Sequence, residues 1–360
     1  MTEYWLPLLY VIALHLFSRY DKYSIRVVSV ILVLPLALFA GLRGDIGPDY
    51  NEYKRLFCEI ADISNILDLG LFNVKFHFEP IYILVVAAIN TIFNCSAFVL
   101  IFAITAFTSI YLNIKSFKDY SPYYLIAVAL YISHDFLLKE LIQIRIGIAA
   151  SIIFYSLRYM GMNRLKFFGG IFLAAGFHYS VLVTLALPII HKYIDKKYTI
   201  VLWLIASLLL YIFDIVGSII NIPEFKEAFW KILNYMNDSS ENYDLGLSNP
   251  TTIKKMVLIV LLASCKEKLF EKYVYAKQLL SGYLFSTILI VSLGHHAIFA
   301  ARLAAIYSVT EYVLLLMAIS CVQSRASRLI LLTLMILSSF IIMHIHIGIE
   351  GRFRPYEFEL

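Results

Sequence analysis

Apolar runs recur from one end of this chain to the other, at 4–17, 25–42, 80–93, 97–114, 121–137, 143–160, 167–190, 198–220, 252–265, 279–296, 302–321 and 328–347. Each is set off by a short polar connector. That recurrence leaves few folds open. A bilayer's hydrocarbon core is about 30 Å thick and offers the backbone no hydrogen-bonding partner. A run of about 20 apolar residues crosses it as a helix, which satisfies its own N–H and C=O groups. Composition agrees, with 61% apolar residues, 15% charged residues and a mean hydropathy of +0.79, far from a soluble domain. The sequence predicts an all-α polytopic membrane protein forming a single integral membrane domain over 1–360. Its longest polar stretches are loops at 43–79 and 221–251.

Basic residues choose the sides. The connectors Arg19/Lys22/Arg26, Lys115/Lys118, Arg158/Arg164/Lys166, Lys192/Lys196/Lys197, Lys266/Lys268/Lys272/Lys277 and Arg325/Arg328 all belong on the cytoplasmic face under the positive-inside rule. Twelve full crossings would put Lys115/Lys118 and Arg158/Arg164/Lys166 outside. Two segments offer a way out. Segment 80–93 is only 14 residues long and carries Asn90, and 167–190 is interrupted by Gly176-Phe177-His178-Tyr179. Reading both as partial or re-entrant leaves about ten spans and sends both termini and both long loops to the outer face. The alternative is twelve plain spans with two misplaced basic loops. Within 221–251, Phe225, Phe229 and Ile232 recur at helical spacing, which predicts an amphipathic interfacial helix.

The four cysteines, Cys58, Cys95, Cys265 and Cys321, show no C-x-x-C spacing, so neither a zinc site nor a disulfide framework is expected. Residues 1–17 lack a basic n-region and a cleavage site and read as a retained first span. The net charge of +5 follows from the basic connectors and calls for no nucleic-acid partner. D-x-D, Walker, G-x-S-x-G and H-E-x-x-H motifs are absent. No metal or cofactor is expected.

Chemistry-bearing residues gather at a few places. Gly41-Leu42-Arg43-Gly44-Asp45-Ile46-Gly47-Pro48-Asp49-Tyr50-Asn51-Glu52-Tyr53 opens the first long polar stretch. Its glycines and proline impose turns and let backbone N–H groups approach a ligand. Tyr50, Tyr53 and Phe57 then fall on one helical face. Such a stretch also serves as a plain loop with an aromatic anchor. Glu79 precedes Pro80, where a carboxylate acts as a helix cap or, desolvated, as a proton acceptor. Arg145, after Gln143, opens an apolar run, where arginine either snorkels or holds an anion in its planar fork. His178 breaks an apolar run as a satisfied interior residue or as a base. Arg302 follows Gly294-His295-His296, whose adjacent histidines do not share a helical face.

The pattern G-L-R-x-x-x-G-x-D-Y-x-x-Y over 41–53 resembles the signature of the EpsG/Wzy family of bacterial polysaccharide polymerases. Four further elements in matching order extend the likeness over most of the chain. They are Glu79 before a short apolar helix, Gln143-Ile144-Arg145, Phe177-His178-Tyr179-Ser180, and the late Arg302. Ile146 stands where the family's I-R-Q-x-x-A element usually has glutamine. The closing Pro355-Tyr356 is also similar to the family.

The resemblance implies a fold similar to GT-C glycosyltransferases in the bacterial inner membrane, with a site facing the periplasm. It implies two undecaprenyl-pyrophosphate-linked oligosaccharides as substrates. A hydroxyl of one would attack the anomeric carbon of the other with inversion, releasing undecaprenyl pyrophosphate. Arg43, Arg145 and Arg302 are then the pyrophosphate ligands, aided by Tyr50 and Gln143, and Asp49, Glu79 or His178 is the base. The expected partners are the lipid-linked glycans and the bilayer, with a chain-length regulator and a flippase as candidate proteins. The alternatives are an O-antigen ligase and a lipid-linked-oligosaccharide flippase or transporter. Transporters commonly carry an internal repeat, and none is visible here.

Overall fold

The computed structural model describes residues 1–17, 27, 29–60, 79–93, 95–220, 245–349 and 353–358. Among these the chain is helical and no β-strand occurs. The first α-helices are α1 (Leu6–Phe17), α2 (Leu34–Gly41), α3 (Tyr50–Glu59), α4 (Pro80–Phe93), α5 (Val99–Tyr120), α6 (Tyr124–Tyr131), α7 (Ile144–Ser156), α8 (Arg164–Ala175) and α9 (Leu187–Tyr193). They continue as α10 (Thr199–Ile212), α11 (Ile215–Ile220), α12 (Pro250–Ser264), α13 (Lys266–Lys272), α14 (Ala276–Ser292), α15 (Ala297–Ala305), α16 (Ser308–Ser320) and α17 (Arg325–Gly348).

The apolar runs foreseen from the sequence coincide with helix, but many are broken. Among the described residues, α5 and α17 are long and apolar enough to cross a bilayer unaided. The pair α15 and α16, bent by 55°, is a third candidate. The breaks have local causes. Pro35 lies in the first turn of α2, behind a π-helical stretch at Ser29–Val33, and supplies no N–H to the helical ladder. Asp214, at φ 40°, separates α10 from α11. Arg302 sits in the last turn of α15 and not at the head of a run. The connector Arg19/Lys22/Arg26, residues 61–78 of the first long loop, residues 221–244 of the second with Phe225, Phe229 and Ile232, and Glu350-Gly351-Arg352 lie outside the described residues.

One expectation is corrected. Cys58 at the end of α3 and Cys95 just before α5 form a disulfide, with Cα atoms 5.1 Å apart. Pairing depends on proximity in space, and the spacing of the cysteines along the chain carried no sign of it. Cys265 and Cys321 are free.

The helices sort into two compact units, one made of Met1–Ser156, Leu165–Leu182 and Ile319–Leu360, the other of Leu157–Arg164 and Val183–Ala318. In the first, α5 packs between α2 and α7. Aromatic contacts of Phe117 with Tyr131 and Phe154 fill the space around it. Two buried carboxylates here are matched. The Glu140 carboxylate accepts from Ser109 Oγ and, at 2.7 Å, from the Tyr131 hydroxyl. Lys139 meets Asp135 at 2.6 Å within the π-helical stretch Ile132–Glu140. The C-terminal tail closes on the 43–46 loop. Gly44 N–H donates to Glu357 O at 2.8 Å, Arg354 N–H to Ile46 O at 2.9 Å, and the Arg354 guanidinium pairs with Asp45.

In the second unit the buried helix α14 contacts α10, α12 and α15. Lys254 pairs with Glu311 at 2.9 Å, and Thr184 shares a 2.6 Å hydrogen bond with Tyr307. Gly161 adopts φ +83°, and a Cβ there would lie 2.8 Å from His191 Nε2. Only glycine combines that left-handed conformation with so close an approach. Residues 161 and 191 are therefore neighbours, so the segment between them ends close to where it began.

Candidate active site

The first unit brings Glu79 and Arg145 together. Glu79 immediately precedes α4, and Arg145 lies in the first turn of α7. The distance from Arg145 Nη1 to Glu79 Oε2 is 2.6 Å, with the arginine side chain 21% and the glutamate 6% exposed. The second carboxylate oxygen accepts from Tyr179 N–H at 3.3 Å. Glu79 is thus turned toward partners far along the chain. Arg145 points inward to an acid and does not snorkel.

Two tyrosines flank the guanidinium. The rings of Tyr53 on α3 and Tyr82 on α4 each have their centroid 5.9 Å from Arg145 Cζ. Their packing explains why they are there. On α3, Tyr50, Tyr53 and Phe57 form one buried face against Phe98 and Phe102. The opposite face, with Asn51, Glu52, Lys54 and Arg55, is exposed. The periodicity of the sequence foresaw this helix. Its apolar face is buried on protein.

The Phe177–Ser180 element reaches the same place. Gly176 O accepts the N–H groups of Ile81 and Tyr82 at 2.9 and 3.1 Å, which fastens the turn after α8 to the first turn of α4. A Cβ on Gly176 would stand 2.3 Å from the Ile81 side chain, so a larger residue would separate the two. His178 is half-buried, and its Nδ1 lies 2.7 Å from Ser180 Oγ and 3.3 Å from Ser180 N. The Ser180 N–H aimed at Nδ1 makes that nitrogen the acceptor, so the neutral ring carries its proton on Nε2. Asp49 is half-buried at the N-terminal edge of α3, within electrostatic reach of the Tyr53 phenol.

The other sequence candidates are placed differently. Arg43 is 2% exposed. Its Nε and Nη1 donate to Leu141 O at 2.9 Å and Ala40 O at 2.7 Å, and its Cζ lies 3.8 Å above the Phe102 ring. In this arrangement Arg43 ties the glycine-rich loop to the entry of α7. The Gly44 N–H is directed to the C-terminal tail. Tyr50 is buried among Phe98 and Phe102, and Gln143 is half-buried at the turn into α7. Arg302 belongs to the second unit.

Tyr82 and Asn90 carried no sequence signal for these roles. Asn90 Nδ2 donates to Phe57 O at 2.6 Å and Ile60 O at 2.8 Å, tying up carbonyls at the end of α3. Among the described residues no group of three or more His, Cys, Asp or Glu side chains is arranged to hold a metal ion. Chemically, the cluster offers a fixed guanidinium with hydrogen-bonding capacity for an anion, an adjacent carboxylate, and an imidazole N–H.

The sequence profile described as EpsG family matches residues 26–358. The amylovoran biosynthesis protein AmsC of Erwinia amylovora is 28% identical over 131 residues, covering 36% of this chain and 34% of that protein. The match thus spans about a third of the relative's length. No solved structure matches the chain.

Proposed function

The chain belongs to the EpsG family, and from that premise we propose that it is a polysaccharide polymerase joining undecaprenyl-pyrophosphate-linked oligosaccharide repeat units. The observation that carries this reading is the Arg145–Glu79 pair, held at 2.6 Å beside the His178 turn. Arginine's planar fork matches phosphate oxygens, and a neighbouring carboxylate suits proton transfer from a sugar hydroxyl.

In the reaction a hydroxyl of the acceptor glycan attacks the anomeric carbon of the donor. The new glycosidic C–O bond forms as the bond to pyrophosphate breaks, with inversion. The hydroxyl proton passes to a base, and the leaving undecaprenyl pyrophosphate takes the bonding electron pair. Arg145 stabilises the negative charge building on the leaving group through a fixed, partly desolvated donor. Of the three candidate bases, geometry favours Glu79. His178 accepts at Nδ1 and holds its proton on Nε2, so it serves as a donor to a substrate oxygen. Asp49 sits beyond Tyr53. Arg43 acts by position, holding the glycine-rich loop in place. Arg302, in the second unit, is the further candidate pyrophosphate ligand.

The site would face the periplasm of a bacterial inner membrane. Two features support this. Cys58 and Cys95 precede and follow segment 80–93 and are bonded, so the segment returns to the face it left, and that face is oxidising. Gly161 and His191 adjoin in the same way at the ends of 164–190. These closures favour about ten spans with two partial segments over twelve plain ones. A chain-length regulator and a flippase are the expected protein partners.

The test is elongation. Purified protein in detergent, given lipid-linked repeat units, should lengthen them and release lipid pyrophosphate. Units left unchanged by active-site-intact protein would favour a flippase, and transfer to a lipid A core would mark a ligase.

A further inference from the structure

The residue that completes the Arg145 environment rides on a helix with few other anchors. α3 is ten residues long, too short to be stable alone in water. Its charged face is exposed, with Arg55 paired to Glu52 and Glu59 on the same helix. Among the described residues its inner face is held by ring contacts with Phe98, Phe102 and Tyr82, by the Asn90 amide, and by the covalent bond from Cys58 to Cys95. Cys95 opens the short turn before α5, the central helix of the first unit. The tether therefore ends at the entry to that helix. Tyr53 lies about 7 Å up the helix axis from Cys58, at 1.5 Å rise per residue. Its ring centroid lies 5.9 Å from Arg145 Cζ, which sets the phenol beside the guanidinium.

We propose that the Cys58–Cys95 disulfide, acting through α3, holds Tyr53 against Arg145, so that the site is fully assembled only in the oxidised chain. Tyr53 is a positioning residue. Its phenol fixes the guanidinium rotamer that faces Glu79, and the bond keeps the phenol there. Forming the bond removes two electrons and two protons from the two thiols by exchange with a disulfide oxidant, either an oxidoreductase or oxidised glutathione, which is reduced to its dithiol or thiols. A dithiol reductant reverses the step and becomes a disulfide itself. The consequence is compartmental. The chain matures into an active state once α3 and Cys95 reach the oxidising side, which keeps lipid-linked repeats from being joined before export.

The activity readout rests on the polymerase reading, and two other readouts do not. Full-length protein carrying Cys265→Ser and Cys321→Ser is purified in detergent without reductant and compared before and after dithiothreitol. Alkylation mass shifts should count no free thiols before reduction and two after. Trypsin should cleave at Lys54 and Arg55 markedly faster in the reduced chain. Elongation of lipid-linked repeats should fall roughly tenfold on reduction, the scale of one hydrogen bond to a charged group. It should recover on reoxidation with oxidised glutathione.

Tyr53→Phe keeps the ring contacts and loses the hydroxyl. It should lower elongation by a similar factor, and reduction should then add little, because both changes act through one contact. Two free thiols in the unreduced protein, or tryptic cleavage indifferent to reduction, would overturn the clamp. An unchanged elongation rate in the reduced chain, or full additivity with Tyr53→Phe, would overturn its link to Arg145. Should the oxidised protein elongate nothing, the polymerase reading fails, while thiol count and cleavage still decide whether the bond orders α3.

Discussion

Glu79 and Arg145 lie 66 residues apart in sequence and meet in a 2.6 Å ion pair. A buried guanidinium with one carboxylate partner is sensitive to its shape as well as its charge. Arg145→Lys keeps the charge and loses the fork. It should reduce elongation by an amount on the order of 2–4 kcal/mol in the transition state, as for a removed oxyanion donor. The check is polymer length in a complemented deletion strain at matched membrane abundance. Near-normal length would leave the arginine a structural role only.

On the proposed reaction, charge supplied by arginine at the leaving group would make a divalent ion unnecessary at the bond that breaks. Polymerisation by purified protein should therefore survive EDTA. Loss of activity with EDTA and its return with magnesium would make the carboxylates metal ligands and sink that assignment.

Gly176 touches Ile81 so closely that an added Cβ would sit 2.3 Å from it. Gly176→Ala should push the His178 turn off α4, at a cost of about 1–3 kcal/mol from overpacking, with a larger proportional loss of elongation. Truncating the obstacle in a Gly176→Ala/Ile81→Ala double variant should recover part of both. No recovery of thermal midpoint in the double variant would show that the contact does not set the turn.

The C-terminal tail offers a contrast between charge and packing. Arg354 and Asp45 form an exposed pair, worth about 0–1 kcal/mol. Tyr356 stacks on Phe39 with centroids 4.3 Å apart and donates its hydroxyl to Phe39 O. Tyr356→Ala should lower stability by about 3 kcal/mol, and Arg354→Ala should be nearly silent in thermal unfolding in detergent. Equal effects would mean the tail is held by charge.

Sidedness is open to direct labelling. With Cys265 and Cys321 replaced by serine and the disulfide kept, Glu52→Cys should react with an impermeant thiol reagent in intact cells. Met162→Cys, on an equally exposed position, should react only after permeabilisation. External labelling at 162 would return the chain to twelve plain spans.

The membrane character and the helical class were legible in the sequence because hydropathy is local. Each apolar run records the transfer preference of its own residues, whatever the rest of the chain does. The α3 face was legible for a similar reason, since Tyr50, Tyr53 and Phe57 repeat at the period of a helix. Breaks were only partly visible. Gly176 announced one, whereas the 55° bend between α15 and α16 left no comparable mark.

What the tertiary structure alone decided were the partnerships. Glu79 read as a cap or as a base, and the fold sets Arg145 and the Tyr179 N–H against it. Arg43 read as an anion ligand, and the fold directs two of its nitrogens to Leu141 O and Ala40 O. Cys58 and Cys95 read as unrelated thiols and are bonded. The chain carries the chemical capacity of a side chain at one position, while all of these partners but Ala40 are selected by helix packing among residues tens of positions away. That selection is a property of distances in space, which no local pattern of residues encodes.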